Sequence, residues 1–198
     1  MTSEHIDVRQ HILDTAKPII LGKGFSAVGL TEILSAAAVP KGSFYHYFKS
    51  KEAFGEALLE DYFANYCQRL DEIFNVQGSN AGERMLAYWG SWLETQSCDD
   101  RDGQCLTVKL AAEVSDLSES MRGSLVRGTQ QLLARIAQCL SEGEQDGSIP
   151  HFASTEQTAL HLYEIWLGAT LLTKIRRDRS ALESAMLSTK SILGVSPS

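Results

Sequence analysis

The sequence predicts an all-α protein, and three observations carry that reading. Apolar residues recur at helical spacing along most of the chain, alternation of the strand type is missing, and the breaks fall on Gly, Pro and Asn. Residues 8–21 line up Val8, Ile12, Leu13, Ala16, Ile19 and Ile20, and Gly22 and Gly24 supply the stop. A second helix starts at Thr31, the expected N-cap, and continues through Glu32, Ile33, Leu34, Ala36 and Ala37. Val39-Pro40 then forces a turn, because proline disfavours helical geometry in the residue before it. Residues 42–48 form a short aromatic stretch, and Ser50 caps a long helix running from Lys51 past Tyr66. The segment 75–80, with Gly78, is the clearest break. Further helices are predicted over 81–95, 105–114, 118–142, 154–175 and 181–193, with loops at 99–103 and 147–152.

Composition narrows the class. The chain has 198 residues, 43% hydrophobic and 22% charged, so it can bury a sizeable core and is neither disordered nor collagen-like. The longest apolar run, 165–172, is interrupted by Gly and Thr and falls short of a membrane span. Residues 1–9 carry Glu4 and Asp7 and no apolar stretch of the signal-peptide kind. Cys67, Cys98, Cys105 and Cys139 are too scattered for a disulfide scaffold, and no Cys-x-x-Cys pair exists. A reducing cytoplasm is the expected location.

Net charge is −7, which argues against general coating of nucleic acid. The charge is unevenly spread. Residues 1–55 carry a net +1 and residues 56–198 a net −8, and the expected domains divide there. Lys41, Lys49 and Lys51 lie within eleven residues that hold no acid. A basic segment on an acidic body suits docking to phosphate at one edge only.

Two short helices joined by a tight turn, the second rich in polar, aromatic and basic residues, form a helix-turn-helix layout. In Lys41-Gly-Ser-Phe-Tyr-His-Tyr-Phe48, Phe44 and Phe48 stand four apart and share a buried face. Ser43, Tyr45, His46 and Tyr47 are left for the outside. Gly42 lets backbone approach a phosphate closely, and Lys41 and Lys51 bracket a phosphate run from either end. The tyrosine hydroxyls position the helix on phosphate, whereas Ser43 and His46 are the candidates for base edges.

The run 39–54, Val-Pro-Lys-Gly-Ser-Phe-Tyr-His-Tyr-Phe-Lys-Ser-Lys-Glu-Ala-Phe, resembles the DNA-binding signature of the TetR family of bacterial transcriptional repressors. Gly24-Phe25 and residues 31–37 fit as well, so the likeness spans about residues 8–58. Ala38 stands where the family pattern has Gly, and Pro40 where it has a small polar cap. The resemblance implies a three-helix DNA-binding head followed by a helical ligand-binding and dimerisation domain. It further implies a homodimer on a pseudo-palindromic operator, with an inducer that favours the form unable to bind DNA. Thr31 joins the DNA-binding candidates on the same ground.

Residues 103–122, beginning Gly-Gln-Cys-Leu-Thr, resemble the NemR-like, electrophile-sensing branch of that family. The branch implies detection of reactive carbonyls, quinones, maleimide-type alkylators or oxidants through a cysteine, and Cys105 is the matching position. Residue chemistry leaves two readings of Cys105 open. A helix starting there, with Lys109 one turn on, favours the thiolate, while Asp99, Asp100 and Asp102 oppose it. Otherwise it is a small buried apolar residue. Cys67 and Cys139 lie in strongly helical segments and are expected in the core, and Cys98 is a second thiol near the acidic loop. Lys174, after the apolar run, is either a partner for Cys105 or a lysine reaching water from a helix end.

Trp89, Trp92, Tyr163 and Trp166 line either a pocket for a flat apolar ligand or plain core. Two stripes are expected at a dimer interface: Leu125, Leu132, Leu133, Ile136 and Leu140 in one, Leu160, Tyr163, Leu167 and Leu171 in the other. His5, His11, His151 and His161 show no metal-ligand spacing with the cysteines, so neither metal nor cofactor is expected. The chain lacks Gly-x-Ser-x-Gly, His-Glu-x-x-His and phosphate-loop patterns, which leaves no enzyme motif.

Overall fold

The computed structural model describes residues 7–97 and 106–195. Those residues are helical in nine stretches: α1 (Val8–Lys23), α2 (Leu30–Ala37), α3 (Lys41–Tyr47), α4 (Lys51–Phe74), α5 (Ala81–Ser97), α6 (Leu106–Leu117), α7 (Glu119–Asp146), α8 (Thr155–Arg176) and α9 (Ser180–Ile192). The all-α reading therefore holds. Among the described residues no helix is long and apolar enough to cross a membrane. The expected loop at 99–103 lies outside the described residues.

Local chemistry explains the helix ends. Asp7 caps α1 by accepting from the Arg9 and Gln10 N–H groups at 3.0 and 3.3 Å. Pro18 sits inside α1, where its ring removes one N–H from the ladder without ending the helix. Ser50 caps α4 as expected, its hydroxyl accepting from the Ala53 N–H at 3.0 Å. Thr31 does not cap α2. That helix begins one residue earlier, with Gly29 at the N-cap and no side-chain bond there, and Thr31 lies exposed in the first turn. Asn80 and Glu83 form a reciprocal capping box on α5, with N–H bonds of 2.9 and 3.0 Å.

Divided after Ala64 and after Gly128, the described residues form two compact units. The first contains α1, α2, α3 and the opening part of α4, together with α6 and the opening part of α7, so it reaches beyond the segment 1–55. Its core is built from Ile12, Leu13, Ala16 and Ile20 of α1, Ile33 of α2, and an aromatic triad. Phe44, Phe48 and Phe54 have ring centroids 5.1 to 5.5 Å apart and fasten α3 to the start of α4.

The second unit holds α5, α8, α9 and the remainder of α4 and α7. Trp89 of α5 stacks on Trp166 of α8 at 5.1 Å and 15°. The indole N–H of Trp92 donates to Thr170 and that of Trp166 to Thr189, each at 2.9 Å, linking α5 to α8 and α8 to α9. Leu132, Ile136 and Leu140 of α7 are buried in this core, and Leu125 is buried in the first unit. Four of the five α7 stripe residues are thus consumed inside the fold, which corrects their assignment to a dimer interface, and Leu133 is half-buried. Tyr163 is likewise buried, whereas Leu160 and Leu171 are exposed.

Candidate functional site

The site grows from the turn between α2 and α3. Ala38 adopts the left-handed conformation, φ 52° and ψ 38°, and ends α2. The N–H groups of Ala38 and Val39 bond back to the Ser35 and Leu34 carbonyls at 3.3 and 3.1 Å. His11 of α1 places Nε2 2.9 Å from the Ala37 carbonyl, a further fastening of the same helix end. Pro40 occupies the N-cap of α3 and offers no side-chain bond. Its fixed φ suits the entry to a helix, and its carbonyl accepts the Ser43 N–H at 2.9 Å.

The α3 helix has two unlike faces. Phe44 and the following Phe48 are buried against the head, while Tyr45 is 48% and Tyr47 39% exposed. Lys41, Gly42 and His46 are exposed too, and Ser43 is half-buried. Two exposed tyrosines on a seven-residue helix offer ring faces and hydroxyls that a partner can meet. Neighbours already hold them in place. The Lys41 ammonium lies 5.8 Å over the Tyr45 ring, and His46 meets Tyr47 edge-on at 4.8 Å. A Cβ on Gly42 would meet nothing within 4 Å, so the backbone there is open to approach.

Lys51 behaves differently from the other candidates. Its ammonium donates to the Phe25 carbonyl at 2.9 Å and to the Ser26 carbonyl at 3.4 Å, and lies 4.8 Å over the Phe25 ring. The same turn is held from α6. The Glu113 carboxylate accepts the Ser26 N–H at 2.6 Å and the Phe25 N–H at 3.1 Å. Burial alone would raise that carboxyl, but the Ser26 side chain, the two N–H groups and the Lys109 charge outweigh it and hold it below the ordinary range. Glu113 was not foreseen from the sequence. Its partners lie 87 and 88 residues away, and a lone acid on an amphipathic helix reads as a solvated side chain.

Residues 12–58 match the family description "Bacterial regulatory proteins, tetR family", and residues 81–189 match "Tetracyclin repressor-like, C-terminal domain". The chain belongs to the TetR family. It is similar to the HTH-type transcriptional repressor NemR of Escherichia coli K12, with 44% identity over 191 residues and 96% of each chain covered. It is also similar to the HTH-type transcriptional repressor DhaR of Mycobacterium sp. GP1, with 34% identity over 89% of this chain and 87% of the relative. Its fold superposes on the crystal structure of reduced E. coli NemR with a TM-score of 0.90, covering 97% of this chain and 100% of that one. This TetR-family chain is accordingly a transcriptional regulator and not an enzyme.

The remaining candidates of the TetR-family chain fall in different places. Cys105 and Cys98 lie outside the described residues; α6 begins at the residue after Cys105. Lys174 is exposed in the last turn of α8. Cys67 is buried and burial pushes its thiol up, against the opposing charge of Arg135. Cys139 is buried, donates to the Ala81 carbonyl at 3.6 Å, and has its pKa pushed up to about 12 by burial. Trp89, Trp92, Tyr163 and Trp166 come together as one cluster of buried rings, Trp92 meeting Tyr163 edge-on at 5.8 Å. Within it the Trp89 N–H has no hydrogen-bond partner among the described residues.

Proposed function

We propose that this chain is a cytoplasmic transcriptional repressor which, as a homodimer, holds a pseudo-palindromic operator and releases it when a reactive electrophile or oxidant modifies Cys105. Residues 1–55 read the DNA, and residues 56–198 sense the signal and dimerise. Lys41, Gly42 and the Tyr45 and Tyr47 hydroxyls meet phosphate, with Thr31 at the start of α2, while Ser43 and His46 meet base edges. Substituting Lys41 weakens binding on all sequences alike, and substituting His46 alters sequence preference.

One observation carries the sensing step. Cys105 immediately precedes Leu106, where α6 begins, and two turns along that helix Glu113 holds the backbone of the turn leading into α2. A maleimide-type alkylator adds its electrophilic carbon to the Cys105 sulfur, and the thiol proton ends on the reagent. The added bulk favours an arrangement of α6 that no longer suits DNA, a shift of populations between two forms. The likeness to NemR, a repressor crystallised in a reduced form, supports this reading. Dimerisation is supported by Leu160, Leu171 and Ile175 of α8 and Leu187 of α9, which are 44 to 68% exposed in the single chain.

The test is operator release by N-ethylmaleimide. The wild type is expected to dissociate and Cys105→Ser to stay bound; release of both alike overturns the thiol switch. A second reading is favoured by the unpaired, buried Trp89 N–H: a flat aromatic inducer carrying an acceptor binds without a covalent bond. In that case Cys105→Ser retains its response to such a ligand, and tryptophan fluorescence changes on binding.

A further inference from the structure

Three successive residues in the first turn of α1 reach three different elements of the same unit, since neighbouring side chains point about 100° apart around a helix. The Arg9 guanidinium lies 5.7 Å from the centre of the Phe48 ring, at the C-cap of α3. The Gln10 amide donates to Asp61 of α4 at 2.9 Å. His11 places Nε2 2.9 Å from the carbonyl of Ala37, the last residue of α2. The turn itself fixes which partner donates in that contact. The final carbonyls of a helix have no partner within it. After α2 the Ala38 and Val39 N–H groups are already given to Ser35 and Leu34, and Pro40 has no N–H at all. The turn therefore holds no donor for Ala37, and a carbonyl oxygen only accepts. His11 carries its proton on Nε2 and donates it.

We propose that His11 is a positioning residue for DNA reading: its Nε2–H, donated to the Ala37 carbonyl, sets the angle at which α3 leaves the helix-turn-helix bend. The inference rests on the DNA-reading role of α3. The bond sits one residue before Ala38, whose left-handed backbone is strained and persists only where its surroundings hold it. Beyond the bend, Phe44 and Phe48 fasten the buried face of α3, and the bend decides where Lys41, Gly42 and Ser43 stand. Releasing α2 at Ala37 moves that end of α3 while leaving its charges unchanged. Attraction to phosphate depends on those charges and tolerates the movement, whereas bonds to base edges need alignment and do not. His11 thus acts on discrimination between sequences more than on affinity for DNA as such. Reach separates the substitutes for it. Glutamine carries its amide nitrogen as many bonds from the backbone as histidine carries Nε2, and asparagine one bond fewer.

Two duplexes test this: one that the wild type selects from a random-sequence pool, and a shuffled duplex of the same composition. In anisotropy titrations His11→Asn, too short to reach, is expected to weaken binding to the selected duplex about tenfold and to the shuffled one by less than about twofold. The slope of log affinity against log salt stays that of the wild type, because no phosphate contact is lost. His11→Gln, which restores a donor at the same reach, binds both duplexes as the wild type does. Circular dichroism establishes that each variant keeps its helices before titration. Equal weakening on both duplexes, wild-type binding by His11→Asn, or failure of His11→Gln to restore discrimination overturns the proposal. Nitrogen NMR of the wild-type imidazoles gives a readout that needs neither DNA nor a variant. His11 is expected as the Nε2–H tautomer, its ring N–H exchanging more slowly than that of the exposed His46. A His11 proton on Nδ1, or exchange as fast as at His46, overturns the bond and the proposal with it. A wild type that selects no sequence from the pool takes down the DNA-reading role and the positioning role together, while the spectra still report the bond.

Discussion

The ring of Phe63 on α4 occupies the space in which a Cβ on Gly128 of α7 would stand. Phe63 is buried, so its ring has little freedom to swing away. Two effects of Gly128→Ala oppose one another. A helical alanine in place of glycine gains about 1 kcal/mol of propensity, whereas overfilling a packed interior costs about 1–3 kcal/mol. Packing wins at this position, and urea denaturation is expected to show a net loss of about 1–2 kcal/mol. Gly90 of α5 is the control, since nothing lies within 4 Å of its Cβ position. Gly90→Ala should raise stability by up to about 1 kcal/mol, and a loss there would mean that helix propensity is not the operative term.

Ala38 carries backbone strain at the point where the helix-turn-helix bends. The left-handed conformation costs an L-residue about 1–2 kcal/mol, and glycine is free of that cost but loses about 0.5–1 kcal/mol more chain entropy on folding. Ala38→Gly is therefore expected to stabilise the head by about 0.5–1 kcal/mol, read as a higher thermal midpoint. A lower midpoint would show that the alanine methyl makes contacts that outweigh the strain.

Acid should loosen the Glu113 grip. Its carboxyl is held below the ordinary range by the hydrogen bonds from Ser26 and Phe25 and the charge of Lys109, which together outweigh burial. As pH falls, the unfolded chain takes up this proton before the folded one does. The stability contribution is thus complete above the ordinary glutamate pKa of about 4.3 and is lost as pH falls through the lower folded value. Urea midpoints of wild type and Glu113→Gln should differ by a constant amount above about pH 5.5 and converge on acidification. A difference that widens in acid would contradict the sign.

Much of this was legible in the sequence, and the exceptions share a cause. Helical spacing and Gly, Pro and Asn breaks located the helices to within a few residues, because those signals are local. Phe44 and Phe48 as the buried face of α3 and Ser50 as a cap were readable for the same reason. Thr31 misled because a threonine before an apolar run looks like a cap, yet Gly29 takes that place when the helix starts at Leu30. The α7 leucines misled because an apolar stripe says only that a face is covered, not by what. Glu113 and the second use of Lys51 were invisible, since both depend on contacts between residues far apart in the chain.

The exposed apolar residues of α8 and α9 predict a dimer face. Leu171 is 50%, Ile175 68% and Leu187 61% exposed, apolar surface of the kind that a second copy would cover. Replacing both Leu171 and Ile175 by Glu should halve the mass seen in analytical ultracentrifugation while leaving the helical circular dichroism unchanged. A variant that stays dimeric would move the interface elsewhere.

Thiol reactivity should follow burial. Only the thiolate reacts at a useful rate, and with the Cys139 pKa pushed up to about 12 its thiolate fraction near neutral pH is on the order of one in 100,000. Cys67 is buried as well, its thiol also pushed up by burial. Mass spectrometry after a low dose of N-ethylmaleimide should therefore find Cys139 unmodified in the folded protein and labelled only once denaturant is added. Cys105 is expected to carry the first label, with Cys98 its competitor, and loss of operator binding should track the Cys105 label alone. Early labelling of Cys139 would require an opening of the second unit that its burial and its bond to Ala81 argue against.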